Sequence, residues 1–296
     1  DWSSDVCSSD LIVSMPPPSS GGVHVIQILN LLEGFELGHL GHNSADALHL
    51  IAEASKLAFA DRAAHLGDPD FFRVPVAGLV AKRYADTLRP MISRERARSA
   101  SEIAPGRPQP FESDQTTHYS VVDEAGNAVA NTYTLNFSYG LGLVAEGTGV
   151  LLNNELDDFA AREDAPNAYG LLGGEANAPG PRKRPLSSMS PTLVFNNGEL
   201  EIVTGSPGGS RIISIALQIV LNIVDFGLNA AEAAEAPRIH HQWRPDQIDF
   251  ERGISVDTLR LLEARGHKLR PTRAFGSAQT IHRARGILMG ADRKST

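Results

Sequence analysis

Cysteine and positive charge are both scarce in this sequence. Cys7 is the only cysteine in 296 residues, so no intrachain disulfide and no cysteine-based metal site can form. Lys and Arg number 27 against 35 Asp and Glu, which gives a formal net charge of −8. Because phosphate binding needs clustered basic side chains, nucleic acids and anionic membranes are not expected partners. No apolar run approaches the ~20 residues that a membrane span requires.

The first ten residues differ in composition from the rest of the chain. They read DWSSDVCSSD, which is rich in Ser and Asp and lacks an initial Met. We expect residues 1–10 to be a foreign segment and the chain to be a fragment of a longer protein. The overall content of 42% hydrophobic and 21% charged residues is typical of a globular protein with a large core.

The hydrophobic periodicity changes near the middle of the chain. Helical spacing at 24–35, 45–66 and 79–89 is followed by a polar, proline-containing segment at 93–115. Beyond it, alternation with a period of two predicts strands. The predicted strands are 117–123, 127–135, 148–154, a hairpin at 191–206 and a closing hairpin at 278–290.

A strongly apolar segment at 210–225 predicts a buried helix between these strands. Helices, then strands, then a buried helix and further strands indicate an α+β fold with layered helices and mostly antiparallel sheets.

The junction between the two halves reads Gln115-Thr116-Thr117. Threonine is β-branched and suits the start of a strand, which is one explanation for the pair. Alternatively, a cut after Gln115 would give Thr116 a free α-amine beside its own hydroxyl. Such an amine, with a pKa of about 7.7–8.0, can serve as the base for the hydroxyl nucleophile. The spacing alone leaves both explanations open.

A glycine pair lies between a predicted strand and a predicted helix in TGSPGGSRI (204–212). The amides of Gly208 and Gly209 can turn toward a ligand, because no Cβ obstructs them. They are candidates for an oxyanion hole, although a tight strand–helix turn explains the same residues.

Two further groups of polar residues are candidates for substrate binding. Ser187 and Ser188 offer adjacent hydroxyls that can hold a carboxylate, or they belong to a polar turn. Glu155 and Asp158 can bind an ammonium group or a hard cation, or they form a solvated acidic turn.

Together these segments resemble the γ-glutamyltransferase (γ-glutamyltranspeptidase) family, and the resemblance covers about residues 12–290. The matching segments are SMPPPSSGG (14–22), ADR with LGDPDF (60–71), QTTHYSVVD (115–123), NTYTLN (131–136), LLNNELDDF (151–159), KRPLSSMSPT (183–192), TGSPGGSRI (204–212) and APRIHHQW (236–243).

The resemblance implies an N-terminal-nucleophile hydrolase with a four-layer αββα sandwich. Such a precursor cleaves itself, here between Gln115 and Thr116. Residues 11–115 would then be the C-terminal part of a large subunit, and residues 116–296 would be the small subunit. The two would share one composite domain.

The resemblance also assigns roles to individual residues. Thr116 would be the nucleophile, Thr134 would orient it, and Gly208 with Gly209 would form the oxyanion hole. The residues implied to bind the γ-glutamyl donor are Asn136, Glu155 and Asp158 for its α-amino group, and Ser187 and Ser188 for its α-carboxylate. Tyr169 would lie in a lid at about 163–174.

The implied substrates are glutathione and other γ-glutamyl compounds, with water, amino acids or dipeptides as acceptors. No metal or organic cofactor is implied, and the family suggests a periplasmic or secreted location. Two alternatives stay open, a cephalosporin-acylase-like amidohydrolase and a truncated, inactive remnant that serves as a binding module.

Overall fold

The structure is a computed structural model that describes residues 3–7, 10–106, 118–137, 139–162, 165–167 and 169–293. Its helices are α1 (Gly21–Leu32), α2 (Ala45–His65), α3 (Val76–Leu79), α4 (Lys82–Leu88), α5 (Arg211–Val224), α6 (Ala230–Glu235) and α7 (Val256–Ala264). Its strands are β1 (Ser3–Cys7), β2 (Asp10–Ser14), β3 (Tyr119–Val122), β4 (Ala128–Asn131), β5 (Thr192–Asn196), β6 (Glu199–Gly205), β7 (Ile239–His240), β8 (Ile248–Glu251), β9 (Leu269–Thr272), β10 (Gln279–Ala284) and β11 (Ile287–Asp292).

The helical core is built around α2. Ser44 caps this helix by accepting a hydrogen bond from the Ala47 amide at 3.1 Å, and the chain leaves it in an extended conformation at Leu66. Residues on most sides of α2 are buried, so it lies inside the molecule and not on its surface. Helix α1 packs against both α2 and α5, and the three helices share one apolar cluster.

A six-stranded antiparallel sheet with the order β1-β2-β5-β6-β10-β11 supports these helices. Its central strand β6 contacts α5 and also contacts the separate β3–β4 hairpin. Consecutive residues Ile202, Val203 and Thr204 are all fully buried. Because successive strand residues point to opposite faces, both faces of β6 are covered.

A third sheet, β7-β8-β9, closes one end of the core. Strands β7 and β8 are antiparallel, whereas β8 and β9 are parallel. Strand β7 contacts α2 and α5, and α7 contacts α2. The predicted α+β fold of layered helices and mainly antiparallel sheets is confirmed.

The predicted strand at 148–154 is wrong. That region contributes only an isolated bridge between Val144 and Leu151. Gly147 and Gly149 have φ angles of +75° and +72°, and the hydroxyl of Thr148 donates to the Ala145 carbonyl at 2.9 Å. These turn contacts prevent a continuous strand. The division of the chain into a foreign segment (1–10), part of a large subunit (11–115) and a small subunit (116–296) remains a prediction.

Within the described ranges, no helix is long and apolar enough to cross a membrane.

Candidate active site

A cavity of about 200 Å³ lies where the segment after β4, the turn before α5 and the 155–158 turn meet. The predicted site residues around it are Thr134, Asn136, Asp158, Tyr169, Ser187, Ser188, Gly208 and Gly209. These residues are spread over 76 positions of the sequence, from 134 to 209, and only the fold brings them together. Gln115 and Thr116 lie outside the described residues.

The glycine turn between β6 and α5 forms one wall of this cavity. Gly208 and Gly209 have φ angles of +144° and +59°, which side chains with a Cβ rarely adopt. Neither amide hydrogen has an acceptor within the part of the chain that the structure describes. A Cβ on Gly209 would lie 2.4 Å from the Tyr169 ring. The turn can therefore donate to an oxyanion, and it has no room for a side chain.

The serine pair is held in place by the loop before α1. The Ser20 hydroxyl donates to the Ser187 carbonyl at 2.8 Å, and the Ser187 hydroxyl donates to the Ser19 hydroxyl at 3.2 Å. Ser187 and Ser188 are both buried. The sequence motif SMPPPSSGG thus has a structural role, because it positions a second motif about 170 residues away.

Arg62 lies behind the serine pair and was not identified from the sequence. The residue is 3% exposed, and its guanidinium donates to the Ser20 hydroxyl at 2.9 Å and to the Ser188 hydroxyl at 3.2 Å. Burial lowers the pKa of Arg62 to about 10, so it stays charged at neutral pH, and Asp158 stabilises that charge. The sequence signals were its place in the quoted ADR segment and an arginine on a helix whose other residues are mostly apolar or small.

The serine and arginine donors give this end of the cavity a preference for an anion. A buried guanidinium with two hydroxyls beside it suits a carboxylate, which accepts several hydrogen bonds at once.

Acidic side chains give the adjoining part of the site the opposite character. Burial raises the pKa of Asp158 to about 6, although the Arg62 charge opposes this shift. Burial also raises the pKa of Glu155 to about 7, with Asp158 as the second cause. Glu155 Oε1 is buried and has no hydrogen-bond partner among the described residues. A cationic ligand would relieve both groups.

Tyr169 covers the cavity from the segment predicted as a lid. Its hydroxyl donates to Asn136 Oδ1 at 2.6 Å, and its ring meets Phe137 edge-on at 5.9 Å. Asn136 adopts a φ of +72° and donates through Nδ2 to the Asn154 carbonyl at 3.1 Å. The tyrosine therefore fixes the asparagine that lines the cavity.

His118 is a further lining residue that the motifs did not single out. Its Nδ1 lies 2.9 Å from the Thr132 hydroxyl, and its Nε2 lies 2.9 Å from the Ser120 hydroxyl. Burial lowers the pKa of His118 to about 4, so the imidazole is neutral at physiological pH. Both ring nitrogens are engaged, which makes His118 a support for the β3–β4 hairpin.

Two solved structures show the fold class. The cephalosporin acylase from Bacillus halodurans matches 98% of this chain and 50% of its own, with a TM-score of 0.81 and 28% identity. The T380A mutant of Helicobacter pylori γ-glutamyltranspeptidase matches 60% of this chain and 97% of its own, with a TM-score of 0.58 and 45% identity. The fold is the layered sandwich of the N-terminal-nucleophile hydrolases.

Sequence comparison narrows this class. A sequence model of the gamma-glutamyltranspeptidase family matches residues 4–295. The glutathione hydrolase proenzyme of Escherichia coli K12 is 58% identical over 270 residues, which cover 91% of this chain and 47% of the relative. The chain belongs to the gamma-glutamyltranspeptidase family. It spans about half the length of the curated relatives it matches.

Proposed function

We propose that the protein is a γ-glutamyl transferase and hydrolase that acts on glutathione and related γ-glutamyl compounds. The observation that carries this proposal is the pairing of opposite charges around the first cavity, with Arg62 bonded to the lining residue Ser188 and Glu155 beside the lining residue Asp158. Arg62 with the serine pair suits a carboxylate, and Asp158 with Glu155 suits an ammonium group. A γ-glutamyl donor presents both groups on its α-carbon, with the scissile amide at the far end of its side chain.

The proposed precursor cleaves itself before it acts on substrates. The Thr116 hydroxyl attacks the Gln115 carbonyl and displaces the peptide nitrogen, which takes up a proton. Water then hydrolyses the resulting ester. Thr116 is left with the free α-amine that serves as its base in later turnovers.

The proposed reaction proceeds in two acyl transfers. The α-amine of Thr116 accepts the proton of its hydroxyl as the oxygen attacks the γ-amide carbonyl, and Gly208 and Gly209 stabilise the oxyanion. The leaving amine receives that proton, and a γ-glutamyl ester remains. Water or the amine of an acceptor then attacks the ester and returns the proton to Thr116. Thr134 would orient the nucleophile, and Tyr169 would restrict the entry of water.

Two observations favour this proposal over an acylase. Relatives of the chain are named glutathione hydrolases, and the site has both a guanidinium and carboxyl groups. A cephalosporin acylase is nevertheless among the solved structures that share the fold. An acylase acting on glutaryl amides would have no ligand for Asp158 or Glu155, because a glutaryl group lacks the α-amino group. An exported location is proposed from the family alone.

A pair of matched substrates tests the proposal. A γ-glutamyl amide and the corresponding glutaryl amide differ only at the α-carbon. We expect kcat/KM for the γ-glutamyl compound to be ~10- to 100-fold higher, because a charge-assisted contact contributes about 1.5–3 kcal/mol. Equal rates, or faster release from the glutaryl amide, would identify the acylase alternative instead.

A further inference from the structure

A second cavity of about 360 Å³ adjoins the first and shares Tyr169 and Gly208 with it. Four elements form the far wall of this second cavity: helix α5, the loop that follows β7, strand β8 and strand β9. Its volume is in the range of small-ligand sites. A group bonded to an acyl centre at the glycine turn would therefore lie next to the second cavity, with Gly208 bordering both.

The wall of the second cavity carries a net positive charge. Arg211 Nη2 lies 2.9 Å from Asp249 Oδ2, and Arg270 Nε donates to Asp249 Oδ1 at 2.7 Å. Two guanidinium groups thus face one carboxylate. The pKa of Asp249 is lowered because hydrogen bonds from Arg270 and Arg211 outweigh its burial, so it remains ionised.

The two arginines keep donors available for a ligand. The Arg270 side chain is 54% exposed and the Arg211 side chain is 34% exposed, whereas Asp249 is only 6% exposed. Asp249 engages Nε and Nη2 of Arg270, and among the described residues Nη1 has no acceptor. Gln247 donates to Asp249 Oδ1 at 3.1 Å and completes the polar wall. The buried carboxylate holds both guanidiniums toward the cavity and leaves one positive charge uncompensated.

We propose that this cavity is the subsite for a carboxylate on the part of the substrate beyond the γ-amide. The ligand class is a short peptide or amino acid with a free C-terminal carboxylate, either as the leaving group or as the acceptor that replaces it. Arg270 and Arg211 bind the carboxylate through the guanidinium donors that Asp249 does not engage. The inference rests on the proposed function, because it assigns the second substrate of that reaction.

Two acceptors that differ only in charge provide the test. The γ-glutamyl group is supplied as an anilide, whose leaving group has no carboxylate, and is transferred to glycylglycine or to glycylglycine amide. The apparent KM of each acceptor is measured. We expect the wild-type protein to have a KM about tenfold lower for the carboxylate form.

Arg270→Gln should remove most of this preference, while acceptor-free hydrolysis of the anilide stays within about twofold of wild type. Arg283→Gln is the matched control, because Arg283 also pairs with a carboxylate on a strand, at 2.6 Å from Glu199, but lies outside the cavity. It should keep the wild-type preference. Arg270→Lys retains the charge without the fork and should give an intermediate preference.

Several results would overturn the inference. The subsite is contradicted, and the proposed function is not, if Arg270→Gln keeps the full preference or if the wild-type protein shows no preference. If the wild-type protein does not hydrolyse the anilide at all, both the subsite and the proposed function are contradicted. If Arg270→Gln loses anilide hydrolysis because it misfolds, the salt dependence of KM in the wild-type protein tests the subsite instead. Added salt should raise the KM of the carboxylate acceptor more than that of the amide, and an equal response contradicts the proposal.

Discussion

At the scale of single residues, the buried carboxyl groups of Asp158 and Glu155 destabilise the folded protein when they are ionised. Both pKa values are raised by burial, to about 6 and about 7. Such groups are more readily explained by a cationic ligand than by the needs of folding. Burial makes ionisation of these carboxyls unfavourable, Arg62 offsets only part of that effect at Asp158, and a bound cation would offset more of it.

The raised pKa values of Asp158 and Glu155 predict a pH dependence of donor binding. A raised carboxyl pKa means that the groups are protonated below pH 6–7 and ionised above it. The KM for a γ-glutamyl anilide should therefore fall as the pH rises from 5 to 8. Asp158→Asn should raise the KM at pH 8 by ~10-fold or more, and the remaining pH dependence should reflect Glu155. Steady-state kinetics across this range measures both effects.

The corresponding control is Asp157→Asn, since Asp157 is exposed and its neighbour Asn154 donates to it at 2.9 Å. A KM for Asp158→Asn that matches the control and wild type at every pH would contradict the proposed role of Asp158.

Gly209 gives a second prediction at this scale. Gly209→Val introduces a branched side chain at a φ of +59° and against the Tyr169 ring. We expect kcat to fall by ~100-fold through displacement of an oxyanion donor, with a smaller change in KM. Gly198→Val, at a φ of +79° in the exposed hairpin turn, imposes similar strain away from the site. If both variants lose activity equally, backbone strain and not the oxyanion hole is responsible.

At the scale of secondary-structure elements, α2 connects the core to the segment before the predicted cleavage site. Glu53 Oε2 accepts a hydrogen bond from the Arg98 amide at 3.1 Å, and Lys56 donates to the Arg98 carbonyl. Lys56 also forms a fully buried ion pair with Glu53. His49 and His267 lie beside this pair, with Nδ1 of one 2.7 Å from Nε2 of the other.

These three residues, His49, Glu53 and His267, have the spacing of metal ligands within the described residues. The ammonium of Lys56, however, already neutralises Glu53 and would repel a cation. The cluster is better explained as a buried polar connection between α2, the 93–98 segment and the start of β9.

The ion pair predicts a stability effect. Glu53→Gln leaves the Lys56 charge buried without a counter-charge and should lower the free energy of unfolding by ~3 kcal/mol. The double variant Glu53→Gln/Lys56→Met should recover most of that loss. Urea denaturation measures both. Asp257→Asn is the control, because Asp257 and Arg260 form an exposed pair with the same three-residue spacing.

If the double variant is less stable than Glu53→Gln, the buried charge is not the source of the loss. The hydrogen bonds to the Arg98 backbone would then be its source.

At the scale of the whole molecule, the sequence predicted the layers better than the individual connections. The long apolar segment at 210–225 formed α5 over Arg211–Val224, because a helix that is apolar over most of its surface is buried between layers. Strands β7 to β9 were not predicted, since Ile239–His240 and Leu269–Thr272 are too short to establish a period.

The residues of the candidate site were likewise predicted only in part. Gly208, Ser187 and Asp158 belong to recognisable motifs, and they line one cavity. Arg62 stands in the quoted ADR segment but was given no role, because its partners Ser20 and Ser188 are distant in sequence and only the packing of α2 brings them together. The Arg211–Asp249–Arg270 wall was missed for the same reason, as its three members belong to three elements.

The central claim is that Thr116 becomes an N-terminus, and intact-mass spectrometry of the incubated precursor tests it most directly. Thr116→Ala is the test variant, and Thr117→Ala is the matched control one residue away. We predict two fragments that separate between Gln115 and Thr116 in the wild type and in Thr117→Ala, and a single uncut mass in Thr116→Ala. Cleavage at the same bond in Thr116→Ala, or a folded wild type that turns over γ-glutamyl substrates uncut, would contradict the account.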